Sequence, residues 1–161
     1  MNRRDFLTLA AALSARPALA GPHDFSAGLV QITHPWTRPT AAGQNAAGYF
    51  GLHNTGPGPE TLLRVECLLA ARVTLHESRM SRGVMGMRML PVLAIPAGGM
   101  ITLAPAGLHI MLEHIRRPFA LGERIAATLV FQRAGRVAIA FAVQAAAPGS
   151  GSMPGMRHKS G

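Results

Sequence analysis

The amino-acid sequence predicts an all-β domain, a sandwich or a barrel, and three observations carry that prediction. No stretch keeps apolar residues at i, i+3, i+4 and i+7 over several turns, the spacing an amphipathic helix needs. Short alternating apolar runs recur instead. Gly- and Pro-rich turn signals separate them: Asn54-Thr55-Gly56-Pro57-Gly58-Pro59, Ser81-Arg82-Gly83, Ile95-Pro96-Ala97-Gly98-Gly99 and Ala134-Gly135. Many short strands at near-regular spacing between such turns belong to sandwiches and barrels.

Taken in order, strands are expected over 28–37, 46–54 and 60–67, the last two divided by the first of those turns. Residues 71–78 and 84–90 lie either side of the Ser81-Arg82-Gly83 turn signal, and 100–104 and 108–115 follow Gly98-Gly99. The final pair, 124–132 and 136–144, meets at Ala134-Gly135. There are no internal repeats and no second domain.

Residues 1–20 read as an export signal: a basic start, an apolar run from Phe6 to Leu13, and Ala18-Leu19-Ala20 before Gly21, with cleavage after Ala20. The run is far shorter than the ~20 residues that span a bilayer, so no integral membrane span is expected. Arg3-Arg4-Asp5-Phe6-Leu7 resembles the twin-arginine signal, and Arg16 near the cleavage site fits that class. No cysteine lies near the cleavage site, so a lipid anchor is not expected. The expected location is the periplasm. Residues 21–147 then form the folded domain, and 148–161, with Met153, Met156 and His158, a flexible tail.

Composition narrows the function classes. Apolar residues make up 48% of the chain and charged ones 14%, which argues for a packed domain. One cysteine, Cys67, excludes an intramolecular disulfide, Cys-rich zinc sites, iron–sulfur clusters and CxxC redox chemistry. Its setting, Val65-Glu66-Cys67-Leu68-Leu69, reads as a packed small hydrophobe. Without Arg3, Arg4, Arg16 and Asp5 the mature chain keeps thirteen basic and six acidic residues, about +7. Such a charge favours an acidic partner or an anionic membrane surface. The arginines are scattered and lack interleaved aromatics, so nucleic acid is not an expected partner.

The chemistry-bearing residues emerge from strand parity, since residues i and i+2 share a face. In 109–113, Ile110 and Leu112 form the natural inward set, which turns His109 and Met111 outward side by side. In 72–76, Val73 and Leu75 face inward and His76 outward. A methionine on the polar face of a strand is not core filler. In Val84-Met85-Gly86-Met87-Arg88-Met89 three methionines share one face, and alternation alone does not choose among them or exclude a buried face. Two imidazoles with two thioethers suit Cu(I) far better than zinc, calcium or magnesium. Without a cysteine thiolate such a set is not a blue-copper electron-transfer centre.

The spacing of His76, ten residues, Met87, twenty-one residues and His109-Ile110-Met111 matches the H-x10-M-x21-H-x-M signature of the PCuAC family of periplasmic copper(I) chaperones. Trp36 with Arg38, Ala47-Gly48-Tyr49-Phe50 with Asn54, Ile95-Pro96-Ala97-Gly98, Pro105-Ala106-Gly107-Leu108-His109, and Arg117-Pro118 with Gly122 also resemble that family. The resemblance implies a cupredoxin-like, Greek-key β-sandwich and a metal set of His76, Met87, His109 and Met111. It also implies a carrier of one Cu(I), passing it to an acceptor such as respiratory oxidase subunit II or another copper chaperone; a monomer is expected. The chain departs from many relatives in carrying Ser78, not methionine, soon after the first histidine, with Met80 further on.

Other residues point elsewhere. His53 reads as a turn or surface residue, His34 and His114 as structural or solvated, and His23 as part of a mobile end. His76-Glu77-Ser78-Arg79-Met80 lacks the second histidine of a zinc-protease motif, and no nucleophile elbow, P-loop or dinucleotide fingerprint occurs. An enzyme is therefore not expected. The alternative to a copper carrier is a sequestration protein that stores the ion without a dedicated acceptor.

Overall fold

In a computed structural model describing residues 24–145, those residues form eleven strands and no helix. They are β1 (Phe25–Ala27), β2 (Val30–Thr37), β3 (Ala46–Asn54), β4 (Glu60–Glu66), β5 (Ala70–Ser81), β6 (Val84–Leu90), β7 (Leu93–Ile95), β8 (Met100–Thr102), β9 (Leu108–Ile115), β10 (Arg124–Phe131) and β11 (Arg136–Val143). The export signal and the tail expected at 148–161 lie outside the described residues.

The strands join in the order β6-β5-β9-β3-β2-β11-β10-β4-β7, with β1 on β2 and β8 on β3. Neighbours run antiparallel except β11 and β2, which are parallel. The path folds over one core, to which Ile32, Phe50, Leu62, Ile110, Leu112, Phe119, Ile125, Leu129 and Phe141 contribute buried side chains. Burying apolar side chains of this size stabilises a fold by ~1.5–3 kcal/mol each before entropy is counted. Alternation along the strands therefore decides which face closes.

Gly48 shows how tightly the layers meet. A Cβ at that position would lie 2.9 Å from Phe141 Cε1 and 3.6 Å from Ile110 Cβ, so β3 passes the core only without a side chain there. Cys67 is buried, with Sγ 3.5 Å from the Ala126 carbonyl, and packs as the small hydrophobe expected.

The structure corrects several boundaries. β5 runs on to Ser81, because the two-residue turn Arg82-Gly83 lets the hairpin pair up to Ser81↔Val84. β2 starts at Val30, since Gly28 (φ 56°) turns the chain back on β1. β8 stops at Thr102. β1 and β7 were not expected: three residues are too few to show a period. β7, behind Pro91 and before Pro96, still buries Leu93 and Ile95 while exposing Ala94.

Candidate metal centre

Three adjacent strands build the site. β5 pairs with β9 so that His76 lies opposite His109 and Thr74 opposite Met111. β5 also pairs with β6, setting Met89 opposite His76, Met87 opposite Ser78 and Met85 opposite Met80. Directly paired residues share a face. All four expected residues, His76, Met87, His109 and Met111, thus lie on one face, with Met89 beside them. The other face of β9 carries Ile110 and Leu112, 1% and 0% exposed, as the alternation requires.

The hairpin geometry tightens this arrangement. Arg82 and Gly83 both hold positive φ, 50° and 78°, the signature of a two-residue turn that hydrogen-bonds its flanking pair. Pairs alternate from there. His76↔Met89, Ser78↔Met87 and Met80↔Met85 therefore fall at non-hydrogen-bonded positions, where side chains approach most closely.

The two imidazoles stack with centroids 5.8 Å apart and planes 21° from parallel. His109 is on the outward face, as expected, but it is not open to water: 6% of it is exposed, with the His76 ring lying against it. Met85, Met87 and Met89 are 53%, 56% and 54% exposed, so they are not core filler.

Hydrogen bonding orients each ring differently. His109 Nδ1 lies 3.0 Å from the Gly107 carbonyl, which can only accept, so Nδ1 carries the proton and Nε2 keeps its lone pair. Thr74 Oγ1 is 2.9 Å from Glu113 Oε1 and 2.9 Å from His76 Nε2. Its single hydroxyl proton goes to the carboxylate, so the hydroxyl accepts from His76 Nε2–H. That leaves Nδ1 of His76 unprotonated, and it is buried without a partner. A buried acceptor with nothing to accept is costly and calls for a ligand. Burial, then the neighbouring His109 and Arg72, push the His76 pKa below its usual 6.5, and Glu113 only partly opposes them. The ring is thus held neutral, the form that binds metals.

Among the described residues no group of three or more His, Cys, Asp or Glu could hold a metal ion. A hard or borderline cation therefore finds no closed oxygen, nitrogen or thiolate cage in the described part of the chain. What is present is two imidazole lone pairs beside neutral sulfurs. The methionines are not equivalent: the Arg72 guanidinium reaches Met89 Sδ at 4.0 Å, and among the described residues no such contact involves Met87.

The residues set aside in the sequence behave accordingly. His53 lies 3.4 Å from Gln31 Oε1, His34 reaches Asp24, and the His114 amide donates to Asn45. His23, Met153, Met156 and His158 lie outside the described residues. Thr74, Glu113 and Arg72 were missed. Parity puts Arg72 and Thr74 on the face of His76, and Glu113 on that of Met111, but Thr74 and Glu113 are 39 positions apart and meet only through the β5–β9 register.

Comparison with known proteins bears on this face. The LpqE-like family model matches residues 30–143. A Leifsonia xyli subsp. xyli protein whose name describes it as a lipoprotein, Lxx21020, is 34% identical over 117 residues, 71% of this chain and 69% of that one. The copper-bound PCuAC domain of PmoF2 superposes with a TM-score of 0.67 at 29% identity, covering 77% of this chain and 99% of the domain. The apo PCuAC domain of PmoF1 gives 0.64 at 30% identity, over 77% and 100%. The Cu(I) form of DR1885 from Deinococcus radiodurans gives 0.56 at 31% identity, over 70% and 78%. The fold is accordingly the cupredoxin-like β-sandwich expected. With a family match over most of its length and PCuAC domains as structural neighbours, the chain belongs to the LpqE-like, PCuAC-type family.

Proposed function

We propose that the protein is an exported copper carrier that holds one Cu(I) on His76, Met87, His109 and Met111 and passes it to another protein. The observation that carries this reading is the partnerless, unprotonated Nδ1 of His76, stacked against His109 on the face that also bears the methionines. His76 Nδ1 and His109 Nε2 supply the two nitrogens. Met111 and Met87 supply soft, uncharged sulfur, which favours a monovalent soft ion over divalent competitors. Met87 serves in preference to Met89, because the guanidinium of Arg72 already engages the Met89 sulfur.

Exposure favours carriage over storage. A ligand that is 56% exposed can leave the ion for an incoming donor, whereas a store gains from enclosing its cargo. Handover is then ligand exchange, with the ion remaining cuprous throughout. The mature chain's charge of about +7 suits an acidic acceptor, and the copper centre of a respiratory oxidase is the acceptor this family resemblance implies. The lipoprotein name of the Leifsonia xyli relative and the apolar amino-terminal segment both support export, with the periplasm as the proposed destination. The reading is a binding protein, in line with the copper-bound PCuAC domain of PmoF2 and the Cu(I) form of DR1885 that the chain resembles.

The test is an anaerobic competition titration against a chromogenic Cu(I) chelator. The parent should bind one tight equivalent. Met87→Leu and Met111→Leu should weaken it while Met89→Leu and truncation after Ala147 leave it unchanged. A parent indifferent to cuprous ion sinks the reading; a loss at Met89 in place of Met87 reassigns the fourth ligand.

A further inference from the structure

We propose that Met80, Met85 and Met87 form a second soft-metal site, an all-thioether port at the tip of the β5–β6 hairpin through which Cu(I) enters and leaves the histidine pair. The proposal rests on the copper reading above and extends it to Met80 and Met85, which that reading leaves unused.

The register is the first support. Met80 and Met85 are directly paired, one step from the pair that closes the turn, and Met87 follows Met85 on the same face. Non-hydrogen-bonded partners have Cα atoms ~4.5 Å apart. Residues two apart along a strand are separated by ~6.6–6.8 Å. Three flexible thioether side chains on such a triangle can converge on one ion.

Exposure is the second support. Met80 is 65% exposed, Met85 53% and Met87 56%. An apolar side chain this open gains little from burial, so packing does not explain three of them in register. The opposite face of the same hairpin is polar: Glu77 bridges Arg79 at 3.0 Å and Arg88 at 3.2 Å. Arg79 and Arg88 there are 73% and 68% exposed, so near the tip the hairpin is not wedged into an apolar layer that would account for the methionines.

The third support is continuity. Exposure rises along this face from His109 (6%) through Met87 to Met80. Met87 pairs with Ser78, which is two residues from His76 on one side and two from Met80 on the other. Met87 can therefore belong to both sites. Transfer inward exchanges the Met80 and Met85 sulfurs for the His76 and His109 nitrogens, one bond forming as another breaks, with Met87 retained. Thioethers carry no proton, so this outer step neither releases nor takes up protons, and no redox change occurs.

The experiment uses the full chain with 13C-labelled methionine methyls and silver(I) as a redox-inert stand-in, repeated with Cu(I) under reducing conditions. The first equivalent should shift the His76 and His109 ring signals together with the Met87 and Met111 methyls. A second equivalent should shift the Met80 and Met85 methyls. In Met80→Leu/Met85→Leu that second equivalent should vanish, and loading of the histidine pair from a chelated Cu(I) donor should slow. Both positions are exposed, so leucine does not threaten folding. A second equivalent that moves only the Met153 and Met156 methyls, or no second equivalent, overturns the port while leaving the carrier reading intact. Silent histidine signals beside shifted Met80 and Met85 methyls overturn the carrier reading and keep the outer site.

Discussion

Thr74→Val removes one hydroxyl and tests the logic of the site more sharply than removing a ligand. Thr74 Oγ1 links Glu113 Oε1 to His76 Nε2, each at 2.9 Å. Valine keeps the shape and the strand preference but can neither accept from Nε2–H nor donate to the carboxylate. His76 then loses the bond that holds its proton on Nε2, and Nδ1 is no longer the enforced lone pair. A hydrogen bond to a charged partner contributes ~1.5–3 kcal/mol. Removing the outer partner of a metal-binding imidazole typically costs ~10–100-fold in metal affinity. At 1.4 kcal/mol per factor of ten the two routes agree on about 1.4–2.8 kcal/mol. Competition against a chromogenic Cu(I) chelator should therefore show affinity falling roughly ten- to a hundredfold. Nitrogen NMR of the metal-free protein should show the His76 proton redistributed between its ring nitrogens. Thr74→Ser, which restores the hydroxyl, should restore both readouts. If Thr74→Val binds Cu(I) as the parent does and its His76 still carries the proton on Nε2, the Glu113–Thr74–His76 chain does not orient the ligand.

Two further outcomes follow from the same structure. Burial, His109 and Arg72 lower the His76 pKa from 6.5, so between 6.5 and the lowered value the unfolded chain binds a proton that the folded chain does not. This group's contribution to stability is therefore full above pH 6.5 and is lost as pH falls through the lowered value. The urea midpoint of the metal-free protein should drop across that window, and less so in His76→Gln; an equal slope in both would remove His76 as the cause. Gly48→Ala pushes a Cβ to 2.9 Å from Phe141, a ring with no exposed surface to swing into. Overpacking of this kind costs ~1–3 kcal/mol, so Tm should fall by several degrees, and an unchanged Tm would mean that β3 shifts freely.

Much of the fold was legible because strand parity is a local property. Whether Ile110 and Leu112 turn inward is decided within one strand by the pleat and the hydrophobic effect, and the buried core obeyed that reading. The turn at Arg82-Gly83 was equally local. The short strands β1 and β7 were not legible, since three residues carry no period and their pairing partners supply the reason they exist.

The amino-acid sequence by itself determined the all-β class, the inward and outward faces, and a donor set of imidazoles and thioethers without a usable thiolate. Only the tertiary structure decided which of those residues meet. Stacking His76 on His109, tying Thr74 to Glu113, setting Arg72 on Met89 and pairing Met80 with Met85 all depend on strand register. A shift of one residue in either ladder would turn the alternating side chains to the opposite face and dissolve every one of those contacts. Register is chosen by the whole core closing at once, which is why the site's chemistry was readable early and its geometry was not.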